Sequence, residues 1–493
     1  MRRLLLGLVF LVVLVPLDAA RIGELVETSL AEQALRFWTL QDPSVRIVLL
    51  GTVCMGICCG LMGAFIVVRK MALLGDTLSH AVLPGIAAGF LWNQTKDLTA
   101  MFTGAIIAGF LGILMVNAIR KTTHLKEDAA LGMVLSGFYA VGICMLTMIQ
   151  RLPTAEKTGL NDFLFGQAAA LGEVDVATIV VVTVLSLVFV FLSYKELLVS
   201  SFDSGFAGSI GLPIRWVEYA LYVLLTFGIV VSLKAAGVLL VSALLIIPPA
   251  CAYLLTDNFV RMLVISCAVG VVSAVLGGFF SFLKNDLPTG PFMVVVAAVI
   301  FICSFLLSPK YGWLPRVARR RRRSGRIRDE NLLRSIYQVR EKTEFHSPDV
   351  TLGELSKHRN EDLIDVARRA RALISARLAF YNPAQTAQQG ALLADRRLVL
   401  TAEGALRACQ IVRNHRLWEL YLTHAADYQS DHVHDDADRI EHILGEDTVR
   451  ALERRLNHPR RDPHGKLIPS MSDMDSLYRS QEVMQGSTYR GDF

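Results

Sequence analysis

Ionisable residues are scarce over most of this 493-residue chain. Residues 1–308 hold 18 Lys and Arg against 18 Asp and Glu, whereas the last 185 hold 32 against 26. So few charges cannot clothe the surface of a soluble globule, and a mean hydropathy of +0.45 excludes a disordered chain. Cysteine is sparse too. Seven of the eight (Cys54, Cys58, Cys59, Cys144, Cys251, Cys267, Cys303) lie in apolar runs, which excludes a secreted disulfide framework and predicts small buried hydrophobes. A phosphate-cradling loop is also missing: the only Gly-Lys pair, Gly465-Lys466, is followed by Leu and lacks the upstream glycine. No catalytic residue and no catalytic cofactor is assigned.

In place of charge the chain has apolar stretches of about 20 residues, the length that crosses a bilayer. They fall at 45–68, 78–92, 99–119, 129–149, 174–194, 216–232, 236–255, 259–283 and 291–308. The pattern predicts an α-helical polytopic protein of the cell membrane, with about nine spans plus an N-terminal signal or anchor. Residues 310–328 carry nine basic residues and no acidic one, so the last span is expected to end in the cytoplasm, where Lys and Arg are retained. Counting back places Ser44 outside. Residues 1–20 have signal-peptide form, either cleaved or kept as an anchor, and residues 21–43 read as an extracytoplasmic amphipathic spacer.

Ionisable groups at membrane depth are costly and mark function by default. The richest place is Met71-Ala-Leu-Leu-Gly-Asp-Thr-Leu-Ser-His80, where Asp76 and His80 stand i, i+4 on one helical face. That spacing suits a carboxylate and an imidazole sharing a divalent cation, and equally a capping Asp beside a His that donates to a carbonyl. Glu127-Asp128 read as first-turn acids. Pro248-Pro249 read as an interruption of a span, facing a cavity or another helix.

The run Arg-Lys-Met-Ala-Leu-Leu-Gly-Asp-Thr-Leu-Ser-His-Ala-Val-Leu-Pro-Gly over residues 69–85 resembles the signature of the integral-membrane subunits of zinc/manganese/iron ABC importers. Glu127-Asp-Ala-Ala-Leu-Gly-Met133, Phe163-Leu-Phe-Gly166, Phe206-Ala-Gly-Ser-Ile-Gly-Leu-Pro213 and the run from Gly237 to Pro249 follow in the family's order. The resemblance spans residues 44–308. It implies a permease that works with a cytoplasmic ATPase, which hydrolyses the ATP, with an extracytoplasmic metal-binding protein, and with a second permease copy or a paralogue. It also implies that Asp76 and His80 line the metal pathway. Residues 203–213 would then couple to the ATPase through Asp203, Phe206, Gly208, Gly211 and Pro213.

Beyond residue 328 the pattern is that of a soluble domain, and nine of the chain's eleven His are there. Residues 309–328 form a basic juxtamembrane linker suited to anionic lipid or to nucleic-acid phosphate. Residues 329–405 read as a winged helix-turn-helix, with helices at 351–357 and 363–378 and a wing built from 378–381 and 397–401. Residues 406–469 read as metal-binding and dimerisation helices, on the cytoplasmic side, and 470–493 as a disordered tail. Asp438, Glu441 and His442 share a helical face, a mixed O/N set that suits Mn²⁺ or Fe²⁺.

Residues 329–469 resemble the diphtheria-toxin-repressor and manganese-regulator family. The resemblance implies His415, Glu419 and His434 as ancillary metal ligands and Asp438, Glu441 and His442 as primary ones. Asn331, a weaker ligand, stands where the family's first helix contributes another. Candidate DNA contacts are Arg368, Arg369, Arg371 and Arg377, opposed by Glu361 and Asp362 at the start of the presumed recognition helix. Residues 329–493 hold 23 basic against 26 acidic residues, so DNA binding stays open beside a degenerate domain used for dimerisation and metal sensing. The expected function is an ABC metal-importer permease with manganese or iron transported and sensed. A zinc importer of the same build and a membrane-tethered, metal-dependent transcriptional regulator are the alternatives.

Overall fold

A computed structural model of the chain describes residues 30–93, 97–151, 166, 168, 171–283, 288–382, 392–425 and 446–469. The expected signal or anchor, residues 21–29, Phe163 to Phe165 of the third motif, residues 383–391 of the wing, His434, Asp438, Glu441, His442 and the tail 470–493 lie outside the described residues. The chain divides into two units, Met1–Arg316 and Val317–Phe493.

The first unit contains α1 (Leu30–Thr39), α2 (Pro43–Val68), α3 (Ala72–Ala81), α4 (Leu83–Asn93), α5 (Leu98–Thr122), α6 (Glu127–Gln150) and α7 (Glu173–Leu192). After these come α8 (Tyr194–Phe202), α9 (Ser204–Ser209), α10 (Ile214–Ala236), α11 (Val238–Leu255), α12 (Phe259–Phe282) and α13 (Thr289–Leu307). Among the described residues seven helices, α2, α5, α6, α7, α10, α12 and α13, are long and apolar enough to cross a bilayer. The other two expected spans take different forms. The 78–92 stretch belongs to the pair α3–α4, broken at Val82, because Pro84 has no N–H to return to the His80 carbonyl. The 236–255 stretch is the 18-residue α11.

Helix α2 is apolar all round and packs against α7, α11 and α12. Small residues permit the approach. A Cβ on Gly56 would lie 2.5 Å from the Gly270 oxygen, and one on Gly60 would lie 2.7 Å from the Ser266 oxygen, so α2 and α12 meet backbone to backbone. Ser266 Oγ in turn donates to the Gly60 carbonyl at 2.7 Å. Pro248 and Pro249 do not interrupt α11. They deprive the Leu244 and Leu245 carbonyls of their i+4 donors, and Gly63 of α2 packs directly on the Leu245 oxygen. The prolines therefore face another helix. Five of the seven cysteines of the apolar runs are buried, whereas Cys144 and Cys303 are exposed on outward faces of α6 and α13. Helix α1 is more than a spacer: Phe37 is buried, its ring 5.3 Å from Phe279 and 5.7 Å from Phe282 of α12.

From Trp313 the basic linker is helical and continuous with the second unit's first helix, α14 (Trp313–Lys342). The second unit adds β1 (Asp349–Thr351), α15 (Leu352–Arg359), α16 (Leu363–Ser375), β2 (Ala379–Tyr381), β3 (Arg397–Leu400), α17 (Ala402–Ala425) and α18 (Glu446–Arg455). Thr351 and Glu354 form a capping box that starts α15. Asn360, left-handed at φ 51°, ends it. The expected second helix stops at Ser375 rather than at 378, with Arg377 left-handed at φ 59°. The sheet is three-stranded and antiparallel in the order β1-β3-β2, pairing Val350 with Leu398 and Phe380 with Val399. Leu332, Ile336, Val350, Leu355, Val366 and Leu398 sit in one core.

Candidate functional site

The signature segment folds as α3, held by Thr77, whose hydroxyl donates to the Leu73 carbonyl at 2.7 Å and to the Leu131 carbonyl of α6 at 3.3 Å. One helical turn brings His80 Nε2 to 3.4 Å from Asp76 Oδ1. Ser242 of α11 hydrogen-bonds the same carboxylate, and the Tyr139 ring of α6 stands edge-on to His80 with centroids 4.8 Å apart. Asp76 remains about one-third exposed while the imidazole is buried. A carboxylate can only accept, so Nε2 carries the proton. The other ring nitrogen, Nδ1, is buried with no hydrogen-bond partner. A buried polar atom left unpartnered costs about 1–3 kcal/mol, and an imidazole nitrogen with a lone pair is an atom type that can ligate a cation. Among the described residues no group of three or more His, Cys, Asp or Glu could hold a metal.

The expected coupling segment forms α9. Asp203 caps it by accepting from Phe206 N at 2.8 Å, and Gly211 at φ 79° turns the chain toward Pro213, the N-cap of α10. Phe202, Phe206, Ile210 and Trp216 are exposed around it. Sequence reasoning treated Arg69 only as an orientation signal. In the fold it is a buried clasp: Nη2 donates to Ser200 Oγ at 2.9 Å, Nε to Ser201 Oγ at 3.0 Å and Nη1 to Glu218 Oε1 at 3.2 Å. It thereby ties the α2–α3 turn to α8 and α10. Two more charges of the first unit went unremarked, Lys234 and Asp175, which pair at 2.5 Å between α10 and α7. Glu127, in the first turn of α6, pairs with Arg120 at 2.9 Å.

In the second unit His415 and Glu419 come together as the i, i+4 spacing implies, buried on α17, with Nε2 2.8 Å from Oε1. His415 Nδ1 faces Arg334 Nη1 of α14 at 3.1 Å. A guanidinium only donates, so Nδ1 accepts and Nε2 holds the proton given to Glu419. Both ring nitrogens are therefore engaged, and a fixed cation already stands at the pair. Asn331 Oδ1 is buried without a hydrogen-bond partner. Of the candidate DNA contacts, Arg368 pairs with Asp365 at 2.8 Å and Arg369 with Asp329 at 3.6 Å, while Arg371 and Arg377 are exposed. Glu361 is neutralised by Arg359 at 2.7 Å, which holds its carboxyl below the usual glutamate value.

Comparison with known proteins places these arrangements. Residues 401–470 match the iron dependent repressor, metal binding and dimerisation domain. The chain is 32% identical over 404 residues to the manganese transport system membrane protein MntC of Bacillus subtilis, covering 81% of this chain and 90% of that protein, so the similarity runs past the spanning helices. It is 38% identical over 281 residues to the zinc transport system membrane protein TroC of Treponema pallidum, covering 57% of this chain and 94% of that one. In fold it is similar to PsaBC from Streptococcus pneumoniae solved with a Fab, at 32% identity and a TM-score of 0.51, covering 58% of this chain and 99% of that one. Seven apolar helices and this kinship make it a multi-pass protein of the plasma membrane. Residues 41–308, more than half of the chain, match the ABC 3 transport family, and the chain belongs to that family.

Proposed function

We propose that this chain is the permease subunit of an ABC importer for a divalent transition metal, manganese first, and that the metal passes the Asp76–His80 pair as substrate. The observation that carries the reading is the buried His80 Nδ1 without a partner, beside a carboxylate that keeps access to solvent. One imidazole and one carboxylate suit Mn²⁺, Fe²⁺ and Zn²⁺; the MntC name of a relative matched over most of the chain favours manganese. The zinc reading keeps the support of TroC. ATP is hydrolysed by a cytoplasmic partner docking on residues 203–213, an extracytoplasmic metal-binding protein delivers the ion, and a second permease copy or a paralogue completes the pathway. The test is uptake of radioactive manganese in cells supplied with the cognate ATPase and binding protein. Asp76→Ala and His80→Ala are expected to abolish it at unchanged membrane level. Wild-type uptake by both variants would sink the assignment, and uptake that zinc but not manganese competes for would replace the metal.

The tail, in this reading, is a cytoplasmic regulator-like domain that senses metal through Asp438, Glu441 and His442 and restrains transport. The pairing of Arg368 and Arg369 with carboxylates of their own unit favours this over DNA binding, and the basic start of α14 suits anionic lipid. Flux compared with and without residues 329–493 in excess cytosolic metal tests it; equal flux removes it.

A further inference from the structure

Helix α1 is joined to α2 by a corner at residues 40–42, where Leu40 is left-handed at φ 52° and Arg46 Nε of α2 donates to the Leu40 carbonyl. The corner fixes the direction in which α1 leaves the start of a spanning helix. At about 100° per residue, α1 divides into three faces. Gln33, Ala34 and Phe37 turn to the bundle: the first two are half-buried, and Phe37 is buried against Phe279 and Phe282 of α12. Arg36 and Thr39 lie on the opposite side and are exposed. Between these faces stand Leu35 and Trp38, apolar and yet 66% and 59% exposed.

This apolar strip continues onto a flank that already meets lipid. The Trp38 ring lies 5.7 Å from Phe279, Phe279 lies 5.7 Å from Phe280, and Phe280 lies 6.3 Å from Phe292 of α13. Helices α12 and α13 are both of spanning length and composition, so the exposed Phe280 faces the bilayer. We propose that α1 is an interfacial helix, with its Leu35–Trp38 face seated in phospholipid at the end of the bundle where α2 begins and α12 ends. An indole suits that level, because its ring enters the acyl region while its N–H stays at the wet boundary. Arg36 lies on the water side, so seating the strip buries no charge. Two side chains are also far too little for a protein partner, since a stable interface takes about 800 Å² from each side. Phe37 and the Arg46 corner moor the helix, so lipid need only cover it.

Tryptophan fluorescence of the full chain in phosphatidylcholine nanodiscs tests the proposal. Trp92, Trp216, Trp313 and Trp418 are replaced by Phe, so that Trp38 alone reports. Bromine on the acyl chains quenches an indole on contact, and it is placed either near the ester or near the bilayer centre. Emission is expected to fall about twofold or more with the shallow bromines and less with the deep ones, as the level of an interfacial helix requires. Iodide in the water should quench it weakly. Emission unchanged by either lipid would overturn the proposal, and so would stronger quenching by the deep bromines. Strong iodide quenching in place of lipid quenching would put the strip in water. A blue shift on adding the extracytoplasmic metal-binding protein, without lipid quenching, would give the face to that partner instead; both results overturn the proposal. If the four replacements prevent folding, the wild type is compared with Trp38→Phe. The part of the emission quenched by shallow bromines should be smaller in that variant, and an equal part would overturn the proposal as well.

Discussion

The Arg69 clasp gives the sharpest test of how the coupling segment reaches the pathway. Its guanidinium sits at the α2–α3 turn, three residues before the helix that carries Asp76 and His80, and it joins this turn to α8 and α10. In Arg69→Ala three hydrogen bonds disappear and Glu218 loses its cation. The Arg69 side chain is 7% exposed, but Glu218 is 34% exposed, so water recovers part of what Glu218 loses. Bonds to charged groups contribute about 1.5–3 kcal/mol each before that recovery. Breaking a fully buried pair costs about 3–5 kcal/mol, so a partly exposed one comes to about 2–4 kcal/mol. That range corresponds to a factor of roughly 30 to 900 in the equilibrium between clasped and released turns.

If residues 203–213 receive the ATPase as proposed, the released turn no longer follows them. The variant should reach the membrane at the wild-type level. Its ATP hydrolysis in proteoliposomes with the cognate ATPase and binding protein should continue, while metal uptake per ATP falls by at least tenfold. Arg69→Lys, which can satisfy only part of the fork, should fall between. An Arg69→Ala transporter with wild-type uptake per ATP would show that the clasp carries no coupling.

Two further predictions concern stability. Gly63→Ala puts a Cβ 1.9 Å from the Leu245 carbonyl oxygen, a backbone atom that cannot swing away, so it should cost upwards of about 3 kcal/mol and lower the unfolding temperature of the detergent-purified chain; an unchanged midpoint would show that α2 and α11 are free to part there. Glu361 has its pKa lowered by the Arg359 hydrogen bond. Its contribution is therefore complete above the ordinary glutamate value of 4.5 and is lost as pH falls through the lowered folded value. Glu361→Gln should flatten that acid limb in a pH series of helix–turn protection by hydrogen exchange, and an unaltered limb would assign it to other carboxylates.

The spans, the helix-turn-helix and the i, i+4 pairs were legible because hydrophobic length and helical spacing are properties of neighbouring residues. The break at Pro84 was written in the chain and passed over, since hydropathy averages across a proline. Strand β1 carries no readable alternation in three residues; it forms only because β3, some fifty residues later, offers Val399 and Leu398 to pair with. Arg69 looked like a topology signal because its partners lie more than 130 residues away. The same limit separates the two carboxylate–imidazole pairs. Asp76–His80 and His415–Glu419 have identical spacing and each leaves one imidazole nitrogen to be answered by something outside its helix. At His80 that nitrogen has no hydrogen-bond partner, while at His415 it faces a guanidinium 81 residues away in the chain. Spacing along a helix can place a carboxylate beside an imidazole; whether the pair is open to a metal depends on the long-range neighbour at the second nitrogen.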